Sequence, residues 1–353
     1  MKIIHCADLH LGSRLTSLPT GDIRDTRKKE ILTSFNNLID YAKEHEIKTI
    51  VLAGDVFDSD RPSKKDKTFF YNAIKANPDI NFLYLRGNHD IEESLEETYD
   101  NLYLFSDSWK SYQIDGITFS GIELSPNNKS SLYSSLSLEK SDVNIVIMHG
   151  DVNTKGSEYI DIKKLANKNI DYLALGHIHM YQEMKIDNRG IAIYPGCLDG
   201  RGFDEINEKG FVVLDINEGK INHEFVIASS RLIIEKEIDV SDATGLYEVK
   251  DIVQSEIKSI SSRSIVKVIL TGKVNFDIAD VDKDIESLLA NKFFHIKVEN
   301  KLKRLINVKD YEKDLSLKGE FVRTVAANNE LTDEEKDEIL NIGIKLLNGE
   351  EIK

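Results

Sequence analysis

The sequence predicts an α/β protein built as a four-layer α/β/β/α sandwich and followed by a smaller α+β domain. Three observations carry this. Five short segments bearing His and Asp occur in order through the first half: Asp8-Leu9-His10, Gly54-Asp55-Val56-Phe57-Asp58, Gly87-Asn88-His89-Asp90, His149-Gly150 and Gly176-His177-Ile178-His179. Each ends an apolar run that reads as a buried strand. Helical stripes alternate with the first three of these strands, the pattern of a sheet covered by helices. From Gly116 onward the texture changes to short strands and turns.

Taken in order, residues 2–6 form the strand that delivers Asp8 and His10. Ile31, Phe35, Leu38 and Ala42 then recur at spacings of four, three and four, the stripe of an amphipathic helix. Strand 49–53 delivers Asp55. Residues 64–76 make a second helix, stopped by Asn77-Pro78, before strand 81–85 delivers Gly87 to Asp90. Strands at 143–148 and 172–175 lead to His149 and His177. Further strands at 117–122, 182–186, 191–194, 211–214 and 221–227 are expected to build a second, more antiparallel sheet packed on the first. Residues 1–228 make the first domain. Near Ala228-Ser229-Ser230 the pattern shifts to strand 232–238, helix 246–260, strand 265–271, helix 278–290 and strand 294–299, a separate small domain spanning 229–325. In residues 326–353 Thr332 can cap a helix whose Ile339, Ile342, Leu346 and Leu347 share one apolar face. That helix docks either on its own domain or on a partner.

The chain has 353 residues, enough for two domains, and 41% hydrophobic with 30% charged residues excludes disorder. No apolar run approaches the roughly 18 residues of a membrane span. The N-terminus is already strand and lacks an apolar leader core, so a cytoplasmic protein is expected. Two cysteines, Cys6 and Cys197, are too few for a disulfide framework and fit a reducing compartment. The formal charge of −15 argues against a protein that grips nucleic acid through a basic surface alone. Two divalent cations would add about +4 where it matters.

The five segments together describe a two-metal hydrolytic site. Carboxylates and neutral imidazoles suit Mn²⁺, Fe²⁺ or Zn²⁺, and the lack of clustered thiolates excludes a structural zinc or iron–sulfur site. Asp8 and His10 are two positions apart, so a strict strand would point both the same way. One carboxylate must bridge the ions, and Asp55 is the candidate. Gly54, Gly87, Gly150 and Gly176 allow tight turns and close backbone approach. Any one segment alone is weak, because Asp-x-His arises by chance; the specificity lies in the set.

With these segments the chain resembles the calcineurin-like metallophosphoesterases, and His5-Cys6-Ala7-Asp8-Leu9-His10-Leu11-Gly12 narrows the resemblance to the double-strand-break repair nucleases of the SbcD type, the short YhaO-like branch in particular. It covers roughly residues 1–230 and extends more loosely through the small domain, which resembles the family's DNA-steering capping domain. The resemblance implies that Asp8, His10, Asp55 and His179 hold one metal and that Asp55, Asn88, His149 and His177 hold the other. It implies that His89 faces the scissile phosphate, stabilising the transition state or protonating the leaving oxygen, with Asp58 or Asp90 orienting it. It further implies a Mn²⁺-dependent DNA exonuclease with single-strand endonuclease activity, acting as a homodimer beside an SMC-like (SbcC-type) ATPase. The chain carries no Gly-rich nucleotide loop of its own. The departure is the C-terminus, where only the helix from about Leu331 is available for docking the ATPase.

Other residues carry weaker signals. Arg61, after the second segment, and Arg201, after the turn Tyr194-Pro195-Gly196-Cys197, are candidates for phosphate or DNA contact. So are Lys301, Lys303 and Arg304 in the densest basic run, whose alternative is a solvated face. Two other functions stand beside the nuclease: a phosphodiesterase or phosphatase acting on small phosphoesters, and a non-catalytic scaffold for DNA ends. The acidic charge favours the first. The complete ligand set speaks against the second.

Overall fold

The computed structural model describes residues 1–59, 62–90 and 99–349. The chain divides into two compact units, Met1–Ile233 and Ile234–Lys353. Among the described residues no helix is long and apolar enough to cross a membrane.

The first unit runs β1 (Lys2–Cys6), α1 (Asp22–Glu44), β2 (Thr49–Ala53), α2 (Lys64–Lys75), β3 (Asn81–Leu85), β4 (Leu102–Leu104), β5 (Lys110–Ile114), β6 (Ile117–Gly121), β7 (Val143–His149), β8 (Tyr172–Gly176), β9 (Gln182–Lys185), β10 (Ile191–Tyr194), β11 (Gly210–Asn217) and β12 (Lys220–Ile227). Two six-stranded sheets result, ordered β12-β11-β1-β2-β3-β4 and β5-β6-β7-β8-β10-β9. Neighbours from β1 to β4 are parallel, as are β6, β7, β8 and β10. Antiparallel strands finish each sheet: β11 and β12 in the first, β5 and β9 in the second.

The expectation of a more antiparallel second sheet that takes in β11 and β12 is therefore corrected. β11 pairs with β1 over Lys2↔Asp215 to His5↔Val212. Its Phe211 to Leu214 run is buried on both faces, which demands a place inside a sheet. The two-residue loop Glu218-Gly219, with φ of 51° and 76°, turns the chain tightly back into β12.

Side chains alternate across each strand. Ile3, Val51, Leu83 and Leu85 face Phe119, Ile145, Ile147 and Ala174 across the inter-sheet core. Tyr84, on the opposite face of β3, meets Phe70 of α2 with ring centroids 5.6 Å apart, and Phe70 meets Phe35 of α1 at 5.5 Å. The expected stripe Ile31, Phe35, Leu38 and Ala42 is buried. Beyond the second sheet, Val146, Met148, Leu173 and Leu175 pack under Leu132, Leu136, Ile160 and Leu165. That fourth layer consists of turns and the 3-10 turn Ile162–Leu165.

The second unit holds β13 (Ile233–Asp239), which opens at the boundary, then α3 (Leu246–Glu256), β14 (Ile265–Thr271), β15 (Lys273–Val274), α4 (Val281–Leu289), β16 (His295–Asn300), β17 (Lys303–Arg304), α5 (Leu317–Ala327) and α6 (Asp333–Leu347). β13-β14-β16 form a sheet whose apolar face buries Val266, Val268 and Val298 with Val249, Val253 and Ile285 of the helices. Thr332 does cap α6, in a reciprocal box with Glu335. The expected apolar face of α6 is not the packed one, however. Ile339, Ile342, Leu346 and Leu347 are exposed, while Leu340 and Ile344 pack on Val322 and Val325 of α5, a helix the sequence pattern does not announce.

Candidate metal centre

All five segments leave strand carboxyl ends and converge between the two sheets. Asp8 and His10 follow β1, Asp55 follows β2, Asn88 and His89 follow β3, His149 ends β7, and His177 and His179 follow β8. Strand alternation is not what brings Asp8 and His10 together, contrary to expectation. β1 ends at Cys6, and Asp8, His10, Asp55 and His177 have φ of 53°, 47°, 50° and 103°. Non-glycine residues rarely adopt such values, and they concentrate where surrounding structure holds a functional geometry. Here the amides of Asp8 and His10 donate to the carbonyls of Gly54 and Asp55, each at 3.0 Å, zipping the first two segments together. Gly87 is needed for space: a Cβ there would lie 2.1 Å from Asp55 Oδ1.

The donor atoms group in three overlapping trios, each with its atoms within 4.8 Å of one another: Asp8, His10 and His179; Asp55, His149 and His177; and His10, Asp55 and His89. His149 Nδ1 lies 2.9 Å from the Ala53 carbonyl oxygen, so this nitrogen carries the proton and Nε2 presents a lone pair. That lone pair meets Asn88 Oδ1 at 3.1 Å and Asp55 Oδ2 at 3.4 Å. His10 Nε2 and His179 Nε2 face one another at 3.1 Å. His177 Nδ1 lies 3.3 Å from Asn88 Oδ1. Acceptors crowded this closely repel unless a cation lies among them, and imidazole with carboxylate and amide oxygen is the donor chemistry of a divalent first-row metal.

The electrostatics agree. Burial lifts the Asp8 carboxyl to about 7 against the pull of His149 and His179. Burial also lowers His10, to about 4, so it stays neutral as a ligand must. Burial lowers His149 too, but with no ion present Asp55 and Asp8 outweigh it and raise that imidazole to about 9, so a bound cation would take the place of the Nε2 proton.

Around the donors, the structure relocates several expected residues. His89 stands over the site, its ring 5.3 Å from that of His10 and its amide donating to Asp55 Oδ1 at 3.0 Å. Neither Asp58 nor Asp90 is found hydrogen-bonded to it. Asp58 Oδ1 lies 3.3 Å from His10 Nδ1. Asp90 is fully buried and accepts the amides of Val56, Phe57 and Gly87 at 3.0, 2.9 and 3.2 Å, clamping the second and third segments together. Arg201 does not reach out as a DNA contact would: its guanidinium bonds Asp58 and Glu205. Arg61 lies outside the described residues, and Lys301, Lys303 and Arg304 belong to the second unit, where Lys301 pairs with Glu299 at 3.3 Å. Cys197 is buried, its thiol 3.8 Å from the His179 carbonyl.

Sequence reasoning missed Glu205, which lies 2.7 Å from His179 Nδ1, and Lys209, whose ammonium donates to the His179 carbonyl at 2.8 Å. Their one local signal is the Arg201 to Glu205 spacing after the Pro-Gly turn.

Residues 1–181 match the family model described as calcineurin-like phosphoesterase, and the chain belongs to that family. It is 28% identical over 300 residues to the uncharacterized metallophosphoesterase YhaO of Bacillus subtilis, a match covering 77% of this chain and 72% of that protein. It is 29% identical over 240 residues to the DNA double-strand break repair protein Mre11 of Saccharolobus solfataricus, covering 62% of this chain and 61% of that one. Over 301 residues it is 28% identical to the SbcD component of the SbcCD nuclease of Staphylococcus epidermidis, covering 73% of this chain and 75% of that one. These relatives agree with the SbcD-type resemblance read from the motifs. Family and donor set together support a phosphoesterase with two divalent metals.

Proposed function

We propose that this chain is a Mn²⁺-dependent DNA nuclease that hydrolyses phosphodiester bonds, with exonuclease and single-strand endonuclease action, as the homodimeric nuclease component of a complex with an SMC-like ATPase. The observation that carries the hydrolytic part is Asp55, whose carboxylate belongs to both the His10 and the His149–His177 groups of donors. Asp8, His10, Asp55 and His179 would hold one ion, and Asp55, Asn88, His149 and His177 the other. When bound, such ions stabilise charge on phosphoryl oxygens and lower the pKa of water. The chain's own residues do the rest. The His89 amide, donating to Asp55 Oδ1, fixes His89 beside the donors, where an imidazole can give a proton to the leaving oxygen or hydrogen-bond a phosphoryl oxygen. The burial of Asp8, His10, Asp55 and His149 strengthens their interactions with charge placed among them.

The DNA substrate draws support from the named activities of the relatives. The charge of −15 supports a second reading, a phosphodiesterase for small phosphoesters. The deciding experiment is Mn²⁺-dependent degradation of end-labelled linear double- and single-stranded DNA by wild type and His89→Ala, with a chromogenic phosphodiester in parallel. DNA cleavage that is lost in folded, metal-loaded His89→Ala supports the nuclease; cleavage of the small diester alone supports the second reading.

A further inference from the structure

Carboxylates stand behind two imidazoles of the centre, close against His179 and at a longer approach to His10, and they share one guanidinium. His179 Nδ1 lies 2.7 Å from Glu205 Oε1, and His10 Nδ1 lies 3.3 Å from Asp58 Oδ1. Arg201 donates through Nη1 to Asp58 Oδ1 and through Nη2 to Glu205 Oε1, each at 2.5 Å. Its own amide donates to Glu205 Oε2 at 2.7 Å. A proton on His179 Nδ1, facing Glu205, leaves Nε2 unprotonated and fixes the ring plane, although Arg201 Nη2 also lies 3.3 Å from that Nδ1. In both histidines it is Nε2 that faces the centre, as the 3.1 Å separation of the two atoms shows.

We propose that Glu205 and Arg201 are positioning residues that preset His179 as an Nε2 donor for one of the two ions, an inference that rests on the dinuclear reading of the site. Glu205 supplies the direct contact. Arg201 acts through Glu205 and Asp58, holding both carboxylates in place. Glu205 is only 2% exposed, and a buried carboxylate is costly without compensation. Two carboxylates and one guanidinium leave a net charge of −1 behind the imidazoles, which favours a cation in front of them. The loop itself is pinned elsewhere. Asp199, two residues before Arg201, is tied to the buried Arg27 of α1 at 2.8 Å, and Lys209 holds the His179 carbonyl.

Calorimetric titration of the metal-free full chain with Mn²⁺ tests this, alongside ¹H–¹⁵N imidazole spectra that report tautomers directly. Wild type is expected to bind two ions and to show His179 as the Nδ1–H tautomer. Glu205→Ala is expected to weaken one site by about 10–100-fold, as loss of such a contact does, and to shift His179 toward Nε2–H. Glu205→Gln, whose amide oxygen still accepts from Nδ1–H, should recover part of both. A folded Glu205→Ala with two wild-type affinities and an unchanged tautomer overturns the inference. If Glu205→Ala does not fold, a wild-type chain whose His179 is the Nε2–H tautomer overturns it instead. Fewer than two ions in wild type would overturn the dinuclear reading itself, a distinguishable failure.

Discussion

Arg27 offers the cleanest energetic test of how the first unit supports its site. This side chain has no exposed surface. Its Nη2 donates to Asp199 Oδ1 at 2.8 Å and to the Gly200 carbonyl at 2.7 Å, and its Nη1 donates to Glu30 Oε2 at 2.6 Å. Asp199 also accepts from Ser34 Oγ at 2.7 Å and from the Ser230 amide at 3.1 Å. Arg27→Met keeps an apolar stem in the helix but leaves Asp199 buried with neutral donors only. Breaking a buried pair in this way costs about 3–5 kcal/mol. At roughly 2–4 °C per kcal/mol for a unit of this size, the melting midpoint should fall by roughly 6–20 °C. Adding Asp199→Asn removes the stranded charge, so the double variant should melt above Arg27→Met. Circular-dichroism melts at neutral pH measure both. A midpoint for Arg27→Met within about 2 °C of wild type, or a double variant that loses the sum of the two single effects, would refute the reasoning.

Four further outcomes are expected. Gly87→Ala places a Cβ 2.1 Å from Asp55 Oδ1 and 2.5 Å from the Asp55 amide nitrogen. Asp55 must then shift, backbone included, so turnover should drop on the order of 100-fold and the melting midpoint should fall as well. Asp90→Ala strands three buried amides at about 1–3 kcal/mol each, so urea unfolding should show a loss of roughly 3 kcal/mol or more, and hydrogen exchange at Val56 and Phe57 should accelerate. Mn²⁺ at about 100 times its Kd should stabilise the chain by about 2.7 kcal/mol for each site filled, reversibly with a chelator; an unchanged melt would contradict ion binding to the folded state. Charge reversal of Lys301, Lys303 and Arg304 to Glu should weaken DNA binding at low salt, and an unaltered affinity would remove these residues from the DNA path.

The metal donors were legible because the parallel strands that deliver them are buried on both faces and read as unbroken apolar runs, with ligands immediately after. β4 and β5 were not foreseen: one is three residues long, and the other, Lys-Ser-Tyr-Gln-Ile, is mostly polar. The start of α1 escaped the apolar stripe because its first turns bury Arg27 rather than a hydrophobe. α6 turns Leu340 and Ile344 inward because Gly343 lets it approach Phe321 closely, a choice made by helix packing and not by local periodicity. The residues behind the ligands were the least visible. Asp58, Arg201 and Glu205 acquire their partners only when segments far apart in sequence meet, and Asp90 turned out to bond backbone amides that no sequence pattern reveals.

The most direct test of the two-metal centre is anomalous diffraction at the manganese edge from crystals grown with Mn²⁺. Two peaks about 3.5–4 Å apart are expected, with Asp55 between them, one ringed by Asp8, His10 and His179 and the other by Asn88, His149 and His177. A single peak, or manganese bound away from Asp55, would contradict the account.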